Sequence, residues 1–345
     1  MVGHRRGRCP PTKIHARAIY DESVRTPFSL LAERVTVSDR VVRWTAFAAL
    51  VMSVLVVVTG GAVRLTGSGL GCPTWPTCTG SSIATTPAMG IHGIIEFGNR
   101  MLTDVLCAVI GAAILAARCA KPWRRSLTRL GWAQFWATVS QAVLGGITVL
   151  THLNPYVVAC HFLASAVLIL TALAMWQRAR EGDGDPVRTV GRPVIQMSRL
   201  TIAATAALIV VGTLVTGTGP HSGDTAEVKR MPFDWEKITQ FHADFAMVTI
   251  GLALAMMFVL LAVDAPAEPR RRAREFFIVL MSQAVVGFAQ YFTHLPELLV
   301  GIHLLGAALV WVAVLRLHLS LRTRPAVGAL PRPAGIETVT DLAAV

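Results

Sequence analysis

Eight long apolar stretches follow one another along the chain, separated by short polar segments. The hydrocarbon core of a bilayer is about 30 Å thick, and a helix needs roughly 20 apolar residues to cross it. Composition agrees, because 53% of the residues are hydrophobic, only 15% are charged and the mean hydropathy is +0.56. The pattern therefore predicts an all-α membrane protein with eight transmembrane helices. The predicted spans, first to eighth, are 42–64, 89–117, 130–150, 156–177, 198–216, 238–263, 275–292 and 298–320.

Basic residues recur on every second connection between the apolar stretches. They cluster in the N-terminal arm and in the segments 118–129, 178–192 and 268–274, whereas the other connections are nearly free of them. Lys and Arg are enriched in cytoplasmic loops, so this alternation explains the net charge of +12 and argues against nucleic-acid binding. It predicts two cytoplasmic termini, with a disordered basic arm at 1–41 and a tail at 321–345.

The second half of the apolar region repeats the first. SQAVLGGITVLTHLNPYVVACH (140–161) aligns with SQAVVGFAQYFTHLPELLVGIH (282–303) at a constant offset of 142, and ten of the 22 aligned residues are identical. Four helices followed by four similar ones, both sets starting on the same side, form a parallel repeat about the membrane normal. The repeat predicts two pseudo-symmetric four-helix bundles joined by a cytoplasmic linker. The two bundles and the linker are 42–177, 198–320 and 178–197.

Two histidines stand out in the second half. Ionisable side chains within membrane helices are rare and costly, so each is a candidate functional group. His242 in the sixth span and His303 in the eighth lie at similar depth below the outer surface. Two imidazoles on facing helices can supply both axial ligands of a haem iron. The alternative is a hydrogen bond between helices for each histidine, but two histidines at matched depth favour ligation.

The first half lacks one of these imidazoles. The repeat aligns His161 in the fourth span with His303, but it aligns Asn99 in the second span with His242. A site for a permanent haem has two strong iron ligands, whereas a reaction site has one strong iron ligand and one weak one. We therefore expect the first bundle to contain the reaction site.

A carboxylate shares this region of the second span. At roughly 100° per residue, His92, Glu96 and Asn99 fall within an arc of about 60° on one helix face. A carboxylate beside a bound substrate is a candidate for proton transfer or for organising the substrate. The alternative is an ion pair between Glu96 and Arg100, which are four residues apart on the same helix.

The connection after the first span carries two cysteines and precedes the candidate carboxylate. Cys72 and Cys78 lie in GCPTWPTC, on the side that lacks Lys and Arg and is therefore expected to be oxidising. They are predicted to form a disulfide, with a structural or a redox role left open. Arg64, at the outer end of the first span, is a candidate contact for a haem propionate, and snorkelling to the interface is the alternative.

The chain resembles haem A synthase, the membrane enzyme that converts haem O to haem A for terminal oxidases. The resemblance implies two four-helix bundles, a haem b cofactor held by His242 and His303, and a substrate haem site around Glu96 and His161. It also implies oxidation of a ring methyl of haem O to a formyl group through a hydroxymethyl intermediate. The segments that carry the resemblance are VRLTGSGLGCPTWP, IIEFGNR, ACHFLASAV, TGTGPHSGD, QFHADFAM and GIHLLGAALVW.

This chain departs from the family pattern at two places. Many members have a histidine three residues after the glutamate, where this chain has Asn99. We expect His161 alone to ligate the substrate iron, with His92 as the second candidate. Some members also have a cysteine pair between the fifth and sixth helices, which this chain lacks, so any redox role rests on Cys72 and Cys78.

The resemblance also implies a location and partners. We expect a bacterial cell membrane, rather than a mitochondrial inner membrane, contact with membrane lipid, and association with haem O synthase and cytochrome oxidase assembly factors; the oligomeric state stays open. Two alternative functions are a non-catalytic dihaem electron-transfer protein and a haem transporter. Asn99 argues against the first, since two complete ligand pairs are then expected, and a transporter needs no carboxylate such as Glu96.

Overall fold

A computed structural model describes residues 27–221, 223–224 and 228–325. These residues form nine α-helices, one 3₁₀ turn and a two-stranded ribbon. Eight of the helices are long and apolar enough to cross a membrane, which confirms the predicted class. The elements are α1 (Pro27–Arg34), α2 (Asp39–Leu65), a 3₁₀ turn (Pro87–Met89), α3 (Gly90–Cys119), α4 (Arg125–Leu150), α5 (Pro155–Arg180), β1 (Val187–Arg188), α6 (Arg192–Thr218), α7 (Trp235–Ala262), α8 (Ala267–Phe292), α9 (Glu297–Ser320) and β2 (Arg322–Thr323).

The predicted arm and tail are described only in part. Residues 1–26 and 326–345 lie outside the described residues. Within the arm, the short helix α1 packs against α3. Within the tail, β2 pairs antiparallel with β1, so that Val187 lies opposite Thr323. The first described helix therefore lies against α3, and the last described strand lies against the connection between α5 and α6.

Charged residues extend the helices beyond their apolar parts. Helix α8 begins at Ala267, eight residues before the predicted span, because Arg272 bonds Glu268 one turn before it and Glu275 one turn after it, each at 2.6 Å. Pairs at this spacing stabilise a helix. At the start of α7, the Asp234 carboxylate accepts the backbone N–H of Lys237 at 3.0 Å. This bond favours the ionised form and lowers the pKa of Asp234.

The eight spans pack as two rings of four helices. In the N-terminal bundle, α2 and α4 each contact both α3 and α5, so α3 and α5 face each other across the interior. In the C-terminal bundle, α6 and α8 each contact both α7 and α9, so α7 and α9 form the corresponding diagonal. The candidate residues of the sequence analysis lie on these two diagonals: Glu96 and His161 on the first, and His242 and His303 on the second.

The two repeated THL segments adopt the same unusual backbone. His152 and Leu153 follow α4 with φ values of 49° and 56°, and His294 and Leu295 follow α8 with 61° and 60°. Residues with a β-carbon seldom enter this left-handed region. Its appearance at the same two places in both halves shows that the sequence repeat is a repeat of structure. The THL histidines therefore form tight turns between adjacent helices.

The halves meet through α2 and α5 of one bundle and α6 and α9 of the other. A single apolar cluster crosses this boundary and includes Leu50 of α2, Leu173 of α5, Leu208 of α6 and Val314 of α9. Within it, the indole N–H of Trp311 donates to the carbonyl of Ala166 at 2.9 Å. This hydrogen bond joins α9 to α5 across the boundary between the bundles.

Candidate functional site

His242 and His303 face each other inside the C-terminal bundle. Their ring centroids are 6.4 Å apart, and the ring planes make an angle of 70°. A metal–imidazole bond is about 2.0 Å long, so two ligating nitrogens lie about 4 Å apart and their ring centroids roughly 2 Å further apart. The observed separation fits two axial ligands of one iron. Such a site takes only two ligands from the protein, and no cluster of three or more His, Cys, Asp or Glu able to hold a bare metal ion occurs among the described residues.

The two rings also have free hydrogen-bonding capacity. The Nδ1 atoms of both His242 and His303 are buried and have no hydrogen-bond partner. A buried polar atom without a partner is costly, so such atoms in a native structure call for an explanation. One unpartnered ring nitrogen on each histidine fits residues held for a ligand, and His242 in addition hydrogen-bonds the backbone of Leu208 in α6.

Glycines occupy the other diagonal at the same level. A β-carbon at Gly212 of α6 would lie 3.1 Å from Cε1 of His242, and one at Gly287 of α8 would lie 3.5 Å from Cε1 of His303. At these two points α6 and α8 approach the imidazole rings closely, and a side chain would crowd the rings. The two glycines thus help to set the position of the histidine rings. The residues present thus fit a bis-histidine haem.

The N-terminal bundle has the same plan with one ligand changed. A β-carbon at Gly145 of α4 would lie 3.4 Å from Cε1 of His161, as Gly287 lies against His303. Gly60 of α2 lies correspondingly against Asn99, whose Nδ2 atom would be 3.9 Å from a β-carbon there. A glycine therefore lies beside each of these four positions, and the second imidazole of the first half is replaced by an amide.

Asn99 is held by α2. Its Oδ1 atom accepts a hydrogen bond from the hydroxyl of Thr59 at 2.8 Å. Among the described residues, no hydrogen bond or ion pair joins Asn99 or Glu96 to His161. The three residues predicted to share a site therefore lie on facing helices of one bundle, but they contact other partners.

Glu96 is 5% exposed and binds the connection after α2. Its Oε2 atom accepts the backbone N–H of Cys72 at 2.6 Å, and its Oε1 atom lies 2.6 Å from Nη2 of Arg100. Arg100 also donates to the carbonyls of Cys72, Thr74 and Thr77. The ion pair weighed as an alternative in the sequence is present, and it fixes the cysteine-bearing connection onto α3.

The disulfide between Cys72 and Cys78 is formed, as predicted, and both cysteines are fully buried. Close by, Nδ1 of His92 lies 2.9 Å from the hydroxyl of Ser68. His92 therefore contacts the connection between α2 and α3 through one of its two ring nitrogens. We call residues 66–86 the disulfide loop.

Arg64 joins the two halves at the end of α2. Its Nε atom donates to the carbonyl of His221 and its Nη2 atom to that of Thr216, both at 2.8 Å. Nearby, the N–H of Gly69 donates to the carbonyl of Gly223 at 2.8 Å. These contacts connect the disulfide loop with the segment that follows α6. A role of Arg64 as a propionate contact stays a prediction.

Comparison with known families shows the family of this chain. The sequence profile of the COX15-CtaA family, described as cytochrome oxidase assembly protein, matches residues 43–315. The chain belongs to this family. The match includes all eight spans nearly end to end, and thus both bundles and the disulfide loop.

Several proteins that are similar to this chain are named haem A synthase. The protein of Lysinibacillus sphaericus is 31% identical over 161 residues, which are 43% of this chain and 50% of that relative. That of Geobacillus thermodenitrificans is 28% identical over 158 residues, 43% of this chain and 48% of the relative. The chain spans about half the length of the curated relatives it matches. These comparisons confirm the family resemblance, and with the eight spans they identify a multi-pass bacterial membrane protein.

Another relative has a different name. A Thermus thermophilus protein named protoheme IX farnesyltransferase is 26% identical over 300 residues, which are 81% of this chain but only 48% of that protein. The matched 81% of this chain therefore corresponds to about half of the longer Thermus protein.

Several residues at the site were not predicted from the sequence. Gly145 and Gly287 are an identical pair within the repeat, so the offset of 142 offered a way to find them. Thr59 and Ser68 offered none, because a hydroxyl near a span end is common and only the packing of α2 against α3 shows what it contacts. Arg100 was considered only as the partner of Glu96, since its carbonyl acceptors depend on the path of the disulfide loop.

Proposed function

We propose that this protein is a haem A synthase, which oxidises a ring methyl of haem O to a formyl group through a hydroxymethyl intermediate. The observation that carries the proposal is the difference between two bundles of the same plan. One has a facing pair of histidines, and the other has His161 facing Asn99 with a buried carboxylate nearby. A permanent cofactor needs two strong ligands, whereas a substrate that exchanges needs a site that holds it less tightly.

In this proposal His242 and His303 hold haem b in the C-terminal bundle. The haem supplies the capacity to carry single electrons, and the protein supplies its position and its surroundings. With both imidazoles engaged, the site would be suited to electron transfer and not to binding a further ligand. Gly212 and Gly287 leave the two imidazole rings the space to take this position.

The N-terminal bundle receives haem O, with His161 as the axial ligand. Asn99 cannot match an imidazole as an iron ligand, and its oxygen already accepts the hydroxyl of Thr59. The substrate haem therefore has no strong iron ligand from α3, which favours a substrate that must enter and leave. His92 is the second candidate for ligation, although its Nδ1 atom bonds Ser68.

Glu96 is proposed to serve the reaction as well as the fold. A carboxylate in a water-poor site can accept a proton or stabilise positive charge that develops on the substrate. Arg100 and the N–H of Cys72 fix its two oxygens, so its position is set before substrate binds. Since the disulfide loop holds the Glu96 carboxylate in this position, the reaction is proposed to depend on that loop.

Partners follow from the substrate. Haem O carries a long apolar tail, so its supplier is expected to be another membrane enzyme. The Thermus protein named protoheme IX farnesyltransferase, about half of which matches this chain, supports an association with the enzyme that makes haem O. Transfer of product to cytochrome oxidase assembly factors is proposed on the family name. We also propose that both termini are cytoplasmic, because the basic residues recur on the connections of that side.

Conversion in cells tests the proposal. The chain is expressed in bacteria that make haem O but not haem A, and extracted haems are separated by chromatography. We expect hydroxymethyl and formyl haems with the wild-type chain and neither with His161→Ala. Haem O recovered unchanged from cells that contain the folded wild-type protein would contradict the proposed activity. Bound haem without conversion would favour the dihaem electron-transfer protein instead.

A further inference from the structure

Trp75 of the disulfide loop lies against α4. A β-carbon at Gly146 would stand 2.7 Å from Cε2 and 2.9 Å from Cε3 of the Trp75 indole, so the ring rests directly on the helix backbone. A β-carbon at the preceding residue, Gly145, would stand 3.4 Å from Cε1 of His161. The indole and His161 therefore contact consecutive residues of α4. Trp75 thus lies at the same level as the proposed substrate site.

The Trp75 ring lies on the side of α4 that faces α3. At roughly 100° per residue, Gly146 lies within about 60° of Gly131 around the axis of α4. A β-carbon at Gly131 would stand 2.7 Å from Cγ1 of Ile114, so α3 and α4 pack directly against each other at that level. Near the disulfide loop, the indole lies where direct packing of the two helices would otherwise continue.

This side of the bundle carries an apolar surface suited to lipid. Trp75 is 38% exposed, so its ring reaches the surface between the two helices. Large apolar side chains near this level of α3 and α4 are also exposed: Ile94, Met101, Val143 and Leu150. Displacement of the indole would therefore open the bundle sideways toward hydrocarbon. Haem O has a long apolar tail, and such an opening suits its entry from the membrane.

The backbone around Trp75 is fixed, whereas its ring is held by packing alone. Arg100 of α3 donates to the carbonyls of Thr74 and Thr77, on either side of Trp75, and the disulfide closes this segment. Among the described residues, the Trp75 indole has no hydrogen-bond partner. Rotation of the side chain therefore breaks no hydrogen bond and leaves the path of the loop unchanged.

The second half differs at the repeat-related place. Gly146 aligns with Phe288 at the offset of 142. The Phe288 ring belongs to α8 itself and stacks on Phe292, with 6.5 Å between the ring centroids. A ring carried by the helix stays beside it, whereas a ring carried by a loop can turn away. The first half alone thus has an aromatic ring from outside the helix at this position.

We propose that Trp75 controls the passage of haem O, because its indole closes a lateral opening between α3 and α4. The inference rests on the proposed function of the N-terminal bundle. The indole turns away from Gly146 when the substrate enters from lipid, and it returns when the site is filled. The same movement releases the product. Trp75 therefore determines how fast haem exchanges and has little effect on how tightly haem is bound.

Rates of haem loading and release test this role. The full chain in lipid nanodiscs is loaded with ferric haem b and mixed with excess apomyoglobin, and loading of the haem-depleted protein is measured separately by stopped-flow absorption. The phase that is absent in His161→Ala reports the N-terminal bundle. Dispersion between an indole and a helix adds up over many atom pairs, so we expect Trp75→Ala to raise both rates by about tenfold. Their ratio should stay within about threefold of the wild-type value.

Two controls accompany this variant. The slow phase from the C-terminal bundle should be unchanged in Trp75→Ala, which shows that the protein is folded. Trp136 also lies on α4 and is largely exposed, away from Gly146. Trp136→Ala is therefore expected to change neither rate.

Variants at Gly146 move the ring without removing it. A β-carbon in Gly146→Ala displaces the indole, so both rates should again rise, whereas Gly111→Ala on α3 meets nothing within 4 Å and should have no effect. The double variant Trp75→Ala, Gly146→Phe transfers the ring from the loop to the helix, as in the second half. We expect it to load and release haem more slowly than the wild type.

The outcomes separate this role from a simple contact with haem. Unchanged rates in Trp75→Ala overturn the inference. Faster release without faster loading also overturns it, because that result means a loss of affinity. The lack of any His161-dependent haem in the wild-type protein overturns the proposed function together with the inference.

Discussion

The carboxylate of Glu96 accepts the backbone N–H of Cys72 at 2.6 Å, so the candidate catalytic group and the disulfide are directly joined. The second carboxylate oxygen pairs with Arg100, which also binds three carbonyls of the disulfide loop. A structural and a catalytic role for Glu96 therefore make separable predictions. The first concerns stability, and the second concerns conversion of the substrate.

Substitution Glu96→Gln removes the charge that Arg100 faces and keeps an oxygen for the N–H of Cys72. The carbonyl acceptors of Arg100 remain, so we expect stability to fall by only about 1–3 kcal/mol. Conversion of haem O is expected to stop while haem b stays bound in the C-terminal bundle. Thermal unfolding and haem extraction check the two effects, with Glu236→Gln in the exposed first turn of α7 as the control. Full conversion by the Glu96→Gln protein would remove Glu96 from the reaction.

Gly212 is expected to be necessary for haem b. A β-carbon there would stand 3.1 Å from Cε1 of His242, which is tighter than an ordinary contact, so the ring must turn or move in Gly212→Ala. We expect a weakened or altered Soret band. Gly251→Ala on α7 is the control, because a β-carbon at Gly251 meets nothing within 4 Å and Ala favours a helix by about 1 kcal/mol. Identical spectra for the two variants would contradict the fit of a haem at this place.

Arg64 is expected to stabilise the contact between the halves. Hydrogen bonds from a charged donor are worth about 1.5–3 kcal/mol, and Arg64 donates to two carbonyls across the boundary. Arg64→Gln should therefore lower the unfolding temperature, whereas Lys237→Gln, at an exposed side chain, should not. The absorption of bound haem b distinguishes this role from contact with a propionate. An altered haem spectrum without a loss of stability would support the propionate contact.

His92 is expected to be dispensable for ligation. Its Nδ1 atom bonds the hydroxyl of Ser68 in the disulfide loop, so the ring is held by that loop. His92→Ala should leave the spectrum of the His161-dependent haem unchanged, and Ser68→Ala should behave in the same way. Loss of that spectrum in His92→Ala alone would make His92 the second ligand.

The fold was largely predictable because its determinants are periodic. Apolar length located the eight spans, and the identities between 140–161 and 282–303 revealed the duplicated bundle before any contact was known. The boundaries were less predictable. Helix α8 extends to Ala267 through ion pairs of Arg272, and a count of apolar residues cannot detect those pairs.

The site was predictable as a set of residues but not as a set of contacts. His242 and His303 face each other, as their matched depth indicated. Glu96 contacts the disulfide loop because that loop folds back onto α3, a path that helix periodicity does not encode.

The electron paramagnetic resonance spectrum of the purified ferric protein, loaded with haem b, tests whether His242 and His303 hold this haem. We expect a low-spin signal from a bis-histidine haem in the wild-type protein and in His161→Ala. That signal should be absent from His242→Ala and from His303→Ala, each of which removes one axial ligand. A low-spin signal that survives in both of those variants, or that disappears only in His161→Ala, would contradict the account.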